Sequence, residues 1–198
     1  MESFSIKKVE VYVDQAAFVL GGTAGGAPLS TVEKWDSVAE AWVAVAPMMR
    51  PRYSFTAVTF EGKIYVFGGV GIDPERELRQ VEVYDPRTDE WRELQQMYLA
   101  RKDFAAIEFH GRILVIGGFS EGESLRSCEA FNPRTEFWEM CLPMSVCRAG
   151  HSVAVFAGCV YAVGGFAHAQ ETAEVERLAH PGEAWTLAPP MCERRSLV

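Results

Sequence analysis

Short hydrophobic segments occur in pairs along the 198-residue chain, with two residues between the members of each pair. In the clearest pair, RYSFTAVTF and KIYVFGG flank Glu61-Gly62, and the corresponding positions carry His110-Gly111, Ala157-Gly158 and, without the glycine, Asp14-Gln15. Two apolar runs joined by an X-Gly dipeptide predict a β-hairpin. The second run of each pair is apolar without alternation, which predicts a strand covered on both faces.

Two further strands are predicted after each hairpin. VEVYD at 81–85 alternates between apolar and polar residues, and WRELQQM begins at Trp91. Asp85-Pro86 and Asn132-Pro133 predict a turn before the last strand, because proline fixes φ and an Asp or Asn side chain can bond the backbone ahead of it. The polar, variable segments between each hairpin and the third strand predict exposed loops.

This unit of four strands occurs four times. The second run of each hairpin ends in a glycine pair: Gly21-Gly22, Gly68-Gly69, Gly117-Gly118 and Gly164-Gly165. A large apolar residue follows, and a tryptophan lies seven residues after it: Trp35 and Trp42, Tyr84 and Trp91, Phe131 and Trp138, Leu178 and Trp185. The four tryptophans are 49, 47 and 47 residues apart.

The period and the order of these residues resemble the kelch repeat. The resemblance implies an all-β fold, a β-propeller of four-stranded antiparallel blades. The first strands would crowd around a central axis, and the tryptophans would be buried equivalently between blades. The blades would cover residues about 5–51, 52–100, 101–147 and 148–194, with 195–198 beginning a fifth. The whole chain is thus expected to be one propeller with an incomplete ring; closure on four blades is the alternative.

Composition narrows the possible partners and compartments. The formal net charge is −8, with no Lys/Arg-rich run, which argues against nucleic acid as a partner. The chain has no apolar segment of about 18 residues and no signal-peptide pattern at its N-terminus, so no membrane association is expected. The five cysteines (Cys128, Cys141, Cys147, Cys159 and Cys192) lack CxxC spacing. They predict free thiols in a reducing compartment, and the expected location is cytoplasmic.

A charged residue of each sign recurs in the repeats. Arg52, Arg101, Arg148 and Arg195 precede the first strands, and Glu33, Glu82, Glu129 and Glu176 lie in the third strands. The resemblance places the arginines at the rim of the central channel, where kelch propellers bind partners. Two interpretations stay open. The arginines form a basic ring that grips an acidic peptide, or they pair with the glutamates as part of the architecture.

Rim positions that differ between repeats are the better candidates for selectivity. They are Tyr53, Lys102 and Asp103 after the repeated arginine, and Ile72, Phe119, Glu121, Phe166 and His168 after the glycine pairs. Exposed aromatic residues are frequent anchors of protein interfaces. Phe119 and Phe166 could instead fold inward as loop packing.

Catalysis is not predicted. His110 occupies a turn, His151 replaces a core phenylalanine, and His168 and His180 lie in loops, so no pair has metal-ligand spacing. No nucleophile elbow, phosphate loop or acid/base pair stands out. We therefore expect no cofactor and no metal.

The third-strand forms VEKWD, VEVYD and CEAFN, with PM-x-x-x-R between repeats, resemble the propellers of BTB-kelch proteins. The resemblance implies the substrate-recognition module of a cullin-type ubiquitin ligase adaptor. The BTB and BACK domains that dimerise and contact the cullin are not recognisable in these residues, so this chain alone is not expected to recruit the ligase. The alternatives are an actin-binding or cytoskeletal scaffold and, less favoured, a propeller enzyme.

Overall fold

All regular secondary structure in the described part of the chain is β. The computed structural model describes residues 9–13, 16–72, 77–168 and 170–196. The predicted turn at Asp14-Gln15 lies outside these residues. None of the described segments forms a helix that is long and apolar enough to cross a membrane.

Four antiparallel sheets of four strands follow one another along the chain. Within each sheet, neighbouring strands follow one another in chain order. The short hairpins described below form separate two-stranded sheets. The first contains β1 (Val9–Val13), β2 (Ala16–Leu20), β5 (Val32–Asp36) and β6 (Ala41–Val45); the second β7 (Thr56–Phe60), β8 (Lys63–Phe67), β9 (Val81–Asp85) and β10 (Glu90–Leu94); the third β11 (Ala105–Phe109), β12 (Arg112–Ile116), β15 (Cys128–Asn132) and β16 (Phe137–Cys141); the fourth β17 (Ser152–Phe156), β18 (Cys159–Val163), β21 (Val175–Leu178) and β22 (Thr186–Ala188). The predicted order of strands is confirmed.

The hairpin turns predicted from the X-Gly dipeptides are present in the last three sheets. Both turn residues have positive φ, as in Glu61 (46°) and Gly62 (75°). Positive φ at both central residues defines the type I′ turn, whose twist matches that of the flanking strands. In the three hairpins Phe60 is paired with Lys63, Phe109 with Arg112 and Phe156 with Cys159.

The segments predicted as plain loops contain short hairpins in three repeats. These are β3 (Thr23–Ala24) with β4 (Ala27–Pro28), β13 (Phe119–Ser120) with β14 (Glu123–Ser124), and β19 (Phe166–Ala167) with β20 (Gln170–Glu171). Gly25-Gly26 and Glu121-Gly122 form the turns of the first two and have positive φ. They are further two-residue turn signals of the type that identified the longer hairpins.

The chain divides into two compact units, Met1–Gln96 and Met97–Val198, each containing two of the four-stranded sheets. In the first unit β1 contacts β7, and in the second β11 contacts β17. First strands therefore lie against each other, as predicted. Each unit also has an apolar cluster to which both of its sheets contribute, including Phe18 and Tyr84 in the first unit and Leu114 and Trp185 in the second.

The second strands differ in how completely they are covered. In β8 and β12 the last four residues are all buried, as predicted. The prediction is wrong for β2 and β18, where buried and half-buried residues alternate. Alternation marks a strand with one covered face.

The tryptophans of the four repeats are not equivalent, which corrects the sequence prediction. Trp138 and Trp185 are buried and Trp91 is half-buried, whereas Trp42 is 46% exposed. The indole N–H of Trp91 donates to the carbonyl of Ala46, at the end of the first sheet (2.8 Å). Trp91 thus packs on the preceding sheet of its own unit, and among the described residues no sheet precedes the first.

Candidate protein-interaction surface

The recurring arginines of the last three four-stranded sheets form buried ion pairs with the recurring glutamates. Arg52 pairs with Glu82, Arg101 with Glu129 (2.5 Å), and Arg148 with Glu176 (2.9 Å), and all six side chains are at most 1% exposed. The other guanidinium nitrogen of each arginine donates to the carbonyl of the first glycine of the pair, at 2.8, 2.6 and 2.9 Å respectively. The arginine is therefore bonded to the third strand of the sheet that follows it and to the glycine directly after the second strand.

Burial and pairing act in opposite directions on these guanidinium groups. Burial lowers the pKa of Arg52, and the Glu82 carboxylate opposes that shift. A buried charge is tolerated only when it is paired and hydrogen-bonded. The glutamate is consequently as necessary to this arrangement as the arginine.

Each glutamate has a second task, because it also binds the linker that precedes its sheet. Glu82 accepts the backbone N–H of Met49 (2.7 Å). Glu129 accepts those of Tyr98 and Leu99 (2.7 and 3.1 Å), and Glu176 those of Ser145 and Val146 (2.7 and 3.1 Å). The linker backbone is fixed while most of the side chains at these linker positions are exposed.

These contacts favour the architectural interpretation of Arg52, Arg101 and Arg148 over a basic ring. Their guanidinium groups are buried inside the sheets and already hold carboxylates. Arg195 differs, since its side chain is about half exposed and its nearest carboxylate is that of Glu193, 3.5 Å away.

The residue after each buried arginine pairs with the residue after the glycine pair. Tyr53 pairs with Val70, Lys102 with Phe119, and Ala149 with Phe166. A Cβ atom added to Gly69 would lie 2.6 Å from the carbonyl oxygen of Tyr53, and the φ of Gly69 is +93°. The glycine pair therefore permits the close approach that brings these two segments together.

The predicted rim residues lie along these paired segments, each within its own unit. Tyr53, Phe119 and Phe166 are half-buried, while His168 and Glu121 are exposed. The Lys102 ammonium lies 5.2 Å from the centre of the Phe119 ring. The sulfur of Cys147 lies 3.6 Å from Nε2 of His168. Asp103 contributes its backbone carbonyl, which accepts the N–H of Gly150 (2.7 Å).

A shallow pocket of about 240 Å³ opens beside these segments in the first unit. Its lining comprises Met49, Arg50, Pro51, Gly71, Ile72 and Leu78. Ile72 was a candidate from the sequence, but Met49 and Arg50 were not. The repeated PM-x-x-x-R linker contains both residues and was the available signal.

The remaining reactive groups are scattered. His151 is buried, as predicted for a core substitute, and the rings of His110 and His180 stack at 4.8 Å. Burial raises the pKa of the Cys128 thiol to about 12 and that of Cys141 to about 11. All five cysteines are free. In the described ranges no three His, Cys, Asp or Glu side chains are grouped closely enough to hold a metal ion.

Comparison with known families decides the assignment that the repeats suggest. The sequence model of the KLHDC2/KLHL20/DRC7 Kelch-repeats domain matches residues 7–196. The chain belongs to the kelch-repeat family. Kelch-repeat domains generally serve as protein-interaction modules.

A solved structure supports the kelch fold. The structure entitled "Structure of YjhT" is 18% identical in sequence and superposes with a TM-score of 0.79. The match covers 96% of this kelch chain and 66% of YjhT, so the chain spans just under two thirds of that protein. At this identity the likeness concerns the fold. No curated protein sequence matches the chain.

Proposed function

We propose that this kelch chain is a non-catalytic module that binds a protein partner through the paired rim segments. The observation that carries the proposal is the repeated pairing after the buried arginine. One backbone arrangement presents Tyr53 with Val70, Lys102 with Phe119, and Ala149 with Phe166. A constant scaffold with changing side chains suits recognition better than an architectural need shared by every repeat.

The pocket of the first unit offers an anchor point for a partner. Ile72 is 64% exposed, and Met49 beside it is also exposed. Isoleucine and methionine that remain exposed at a concave site attract an apolar side chain. Arg50 lies at the same pocket, with its guanidinium 3.9 Å from the Glu93 carboxylate.

The charge of the partner depends on few side chains. The predicted grip on an acidic peptide relied on the repeated arginines, three of which are buried against glutamates. Two other cations lie close to the paired segments. Lys102 is half-buried, and Arg50 is exposed. We therefore propose a partner anchored by apolar or aromatic side chains, with acidic residues as a secondary feature.

Within this class we propose substrate recognition for a cullin-type ubiquitin ligase. The support is the resemblance of VEVYD, CEAFN and the PM-x-x-x-R linkers to BTB-kelch propellers. Actin binding is the alternative. Co-sedimentation with filamentous actin separates the two, since a recognition module for another substrate should stay in the supernatant.

The rim hypothesis can be tested with two matched variants. Ile72→Asp places a charge at the pocket, and Phe137→Asp places one on the outer strand β16, at a residue 67% exposed. Both variants should stay folded by circular dichroism. Quantitative mass spectrometry of co-purified proteins should show partners lost with Ile72→Asp and retained with Phe137→Asp. If the wild type, Ile72→Asp and Phe137→Asp all co-purify with the same partners, the proposal is contradicted.

A further inference from the structure

Contact between consecutive sheets follows one rule in both units. We call the face of a sheet that carries the repeated tryptophan its front face, and the opposite one its back face. In the first unit Tyr84 on the front face lies against the back-face residue Phe18 of the preceding sheet, and Trp91 donates to the carbonyl of Ala46, directly after the last strand of that sheet. In the second unit Trp185 packs with Leu114 in the same way. In both units the front face of the second of the two sheets therefore packs on the back face of the first.

The front face of the first sheet is exposed. Trp35 is 37% and Trp42 46% exposed, and they contact each other edge-on at 5.5 Å. Tyr12 on the same face is also exposed, and Ala17 and Val19 are only half-buried. Trp35 and Trp42 occupy the positions that Tyr84 and Trp91 hold on the covered front face of the second sheet.

The back face of the fourth sheet is exposed as well. Phe156 is 72% exposed, and its ring lies 6.3 Å from that of Tyr161. By register these residues correspond to Val13 and Phe18, which are buried on the back face of the first sheet. Val163 and Met191 are half-buried beside them. An aromatic front face would find a matching apolar surface here.

The charges of the two faces are complementary. Three arginines and three glutamates pair inside the sheets, which leaves Glu33, exposed on the first sheet, and Arg195 after the fourth. The carbonyl of Arg195 accepts the N–H of Gly165 (2.9 Å), as the carbonyl of Arg148 accepts that of Gly118 (2.8 Å). The backbone of Arg195 is therefore placed as in the paired repeats. Its guanidinium has only the exposed Glu193 carboxylate 3.5 Å away, in place of the buried glutamate and glycine carbonyl that the following sheet provides in those repeats.

We propose that a second copy of this chain is the partner of these two faces. The front face of the first sheet in one copy packs on the back face of the fourth sheet in the other, and Arg195 pairs with Glu33 across the contact. Trp42 then takes the role that Trp91 has inside the chain. Such a contact is head-to-tail, because two different surfaces of the same molecule meet.

One difference makes the contact between copies weaker than the internal one. Inside the first unit the backbone N–H of Ala46 donates to Asp89 (2.9 Å). Pro189 holds the position of Ala46 after the fourth sheet and has no N–H to offer Glu40, which corresponds to Asp89. The association is therefore expected to depend on protein concentration.

Sedimentation equilibrium tests the contact directly. The wild type should show a mass that rises with concentration above the 22.0 kDa of one chain. Trp42→Glu and Phe156→Glu should each lose the heavier species. Val38→Glu, which adds the same charge at an exposed turn of the first sheet, should keep it. A wild type that stays at the mass of one chain up to millimolar concentration overturns the proposal.

Mixing the variants distinguishes head-to-tail contact from contact between like faces. Trp42→Glu retains an intact back face and Phe156→Glu an intact front face, so their mixture should recover a heavier species that neither forms alone. A heavier species with Phe156→Glu alone, and no recovery on mixing, would contradict the proposal.

Charge exchange tests the proposed ion pair. Glu33→Arg and Arg195→Glu should each weaken association, and the chain carrying both changes should regain it. Loss with the double variant equal to the sum of the single losses would show that the two residues do not meet.

Discussion

The first and second sheets contain the same signature but differ in what covers it. Tyr84 and Trp91 stack at 5.0 Å and lie against the first sheet, whereas Trp35 and Trp42 contact each other on an exposed face. The difference shows that the repeat encodes a contact with the preceding sheet.

The largest expected difference between the sheets concerns the glutamates. Glu82→Ala leaves Arg52 charged and buried without its partner, and breaking a buried pair costs about 3–5 kcal/mol of unfolding free energy. Glu33→Ala, at the corresponding exposed position, should change it by less than about 0.5 kcal/mol. Urea denaturation at low protein concentration measures both. Equal effects would mean that the pair in the second sheet adds nothing.

The double variant Arg52→Met, Glu82→Leu sharpens this test. Apolar replacements of a buried pair are often neutral, so it should recover much of the stability that Glu82→Ala loses. No recovery would show that the backbone hydrogen bonds of the two side chains, from the Met49 amide to Glu82 and from Arg52 to the Gly68 carbonyl, matter more than the ion pair.

The tryptophans should differ next. Trp91→Ala is expected to cost about 3 kcal/mol, at the lower end for buried aromatic residues because Trp91 is half-buried. Trp42→Ala should cost under about 1 kcal/mol, since no sheet among the described residues lies against it. Thermal unfolding of the two variants gives the comparison. A larger loss with Trp42→Ala would contradict the different environments of the two sheets.

The second glycine of each pair gives a smaller contrast. Alanine at Gly69 meets both an unfavourable φ and the Tyr53 carbonyl oxygen, whereas at Gly22 an added Cβ has no described atom within 4 Å. Both substitutions should lower the free energy of unfolding by about 1 kcal/mol because of the backbone conformation. The clash at Gly69 should lower it by about 1–3 kcal/mol more. Denaturant midpoints compare them, and identical midpoints would exclude the close approach.

The smallest effect depends on pH. Hydrogen bonds from the Ala46 amide and from the Tyr84 hydroxyl lower the pKa of Asp89. A lowered carboxyl pKa contributes stability above the unfolded value of about 3.9, and that stability is lost as the pH falls through the folded value. Asp89→Asn should therefore be less stable than wild type at pH 7, by less than about 1 kcal/mol because Asp89 is exposed and solvent screens its interactions. The difference should shrink below about pH 4. A difference that is constant down to pH 2 would rule out this contribution.

Most of the fold could be predicted from the sequence because its signals are local. The Glu61-Gly62 dipeptide between apolar runs identifies a hairpin without knowledge of the rest of the chain. The short hairpin at Glu121-Gly122 carries the same signal, but the polar composition of its segment, FSEGESLRS, led to a loop prediction. The exposure of Trp42 could not be read locally, since it depends on whether another sheet covers that face.

The candidate site was less predictable because it depends on contacts distant in sequence. Equal recurrence of arginine and glutamate suggested pairing but could not exclude a basic ring. Burial of both groups favours the pair. Met49 and Ile72 share a pocket beside the Tyr53–Val70 pairing, and their separation in sequence gives no hint of that.

The hydrogen bond from the Met49 amide to Glu82 ties the second sheet to the linker before it, so the smallest complete repeat includes that linker as well as the four strands. A repeat excised at Arg52 would leave behind the amide that its glutamate binds. Grafts of this repeat into another kelch array should therefore be cut before Met48, so that the carboxylate and its donor move together.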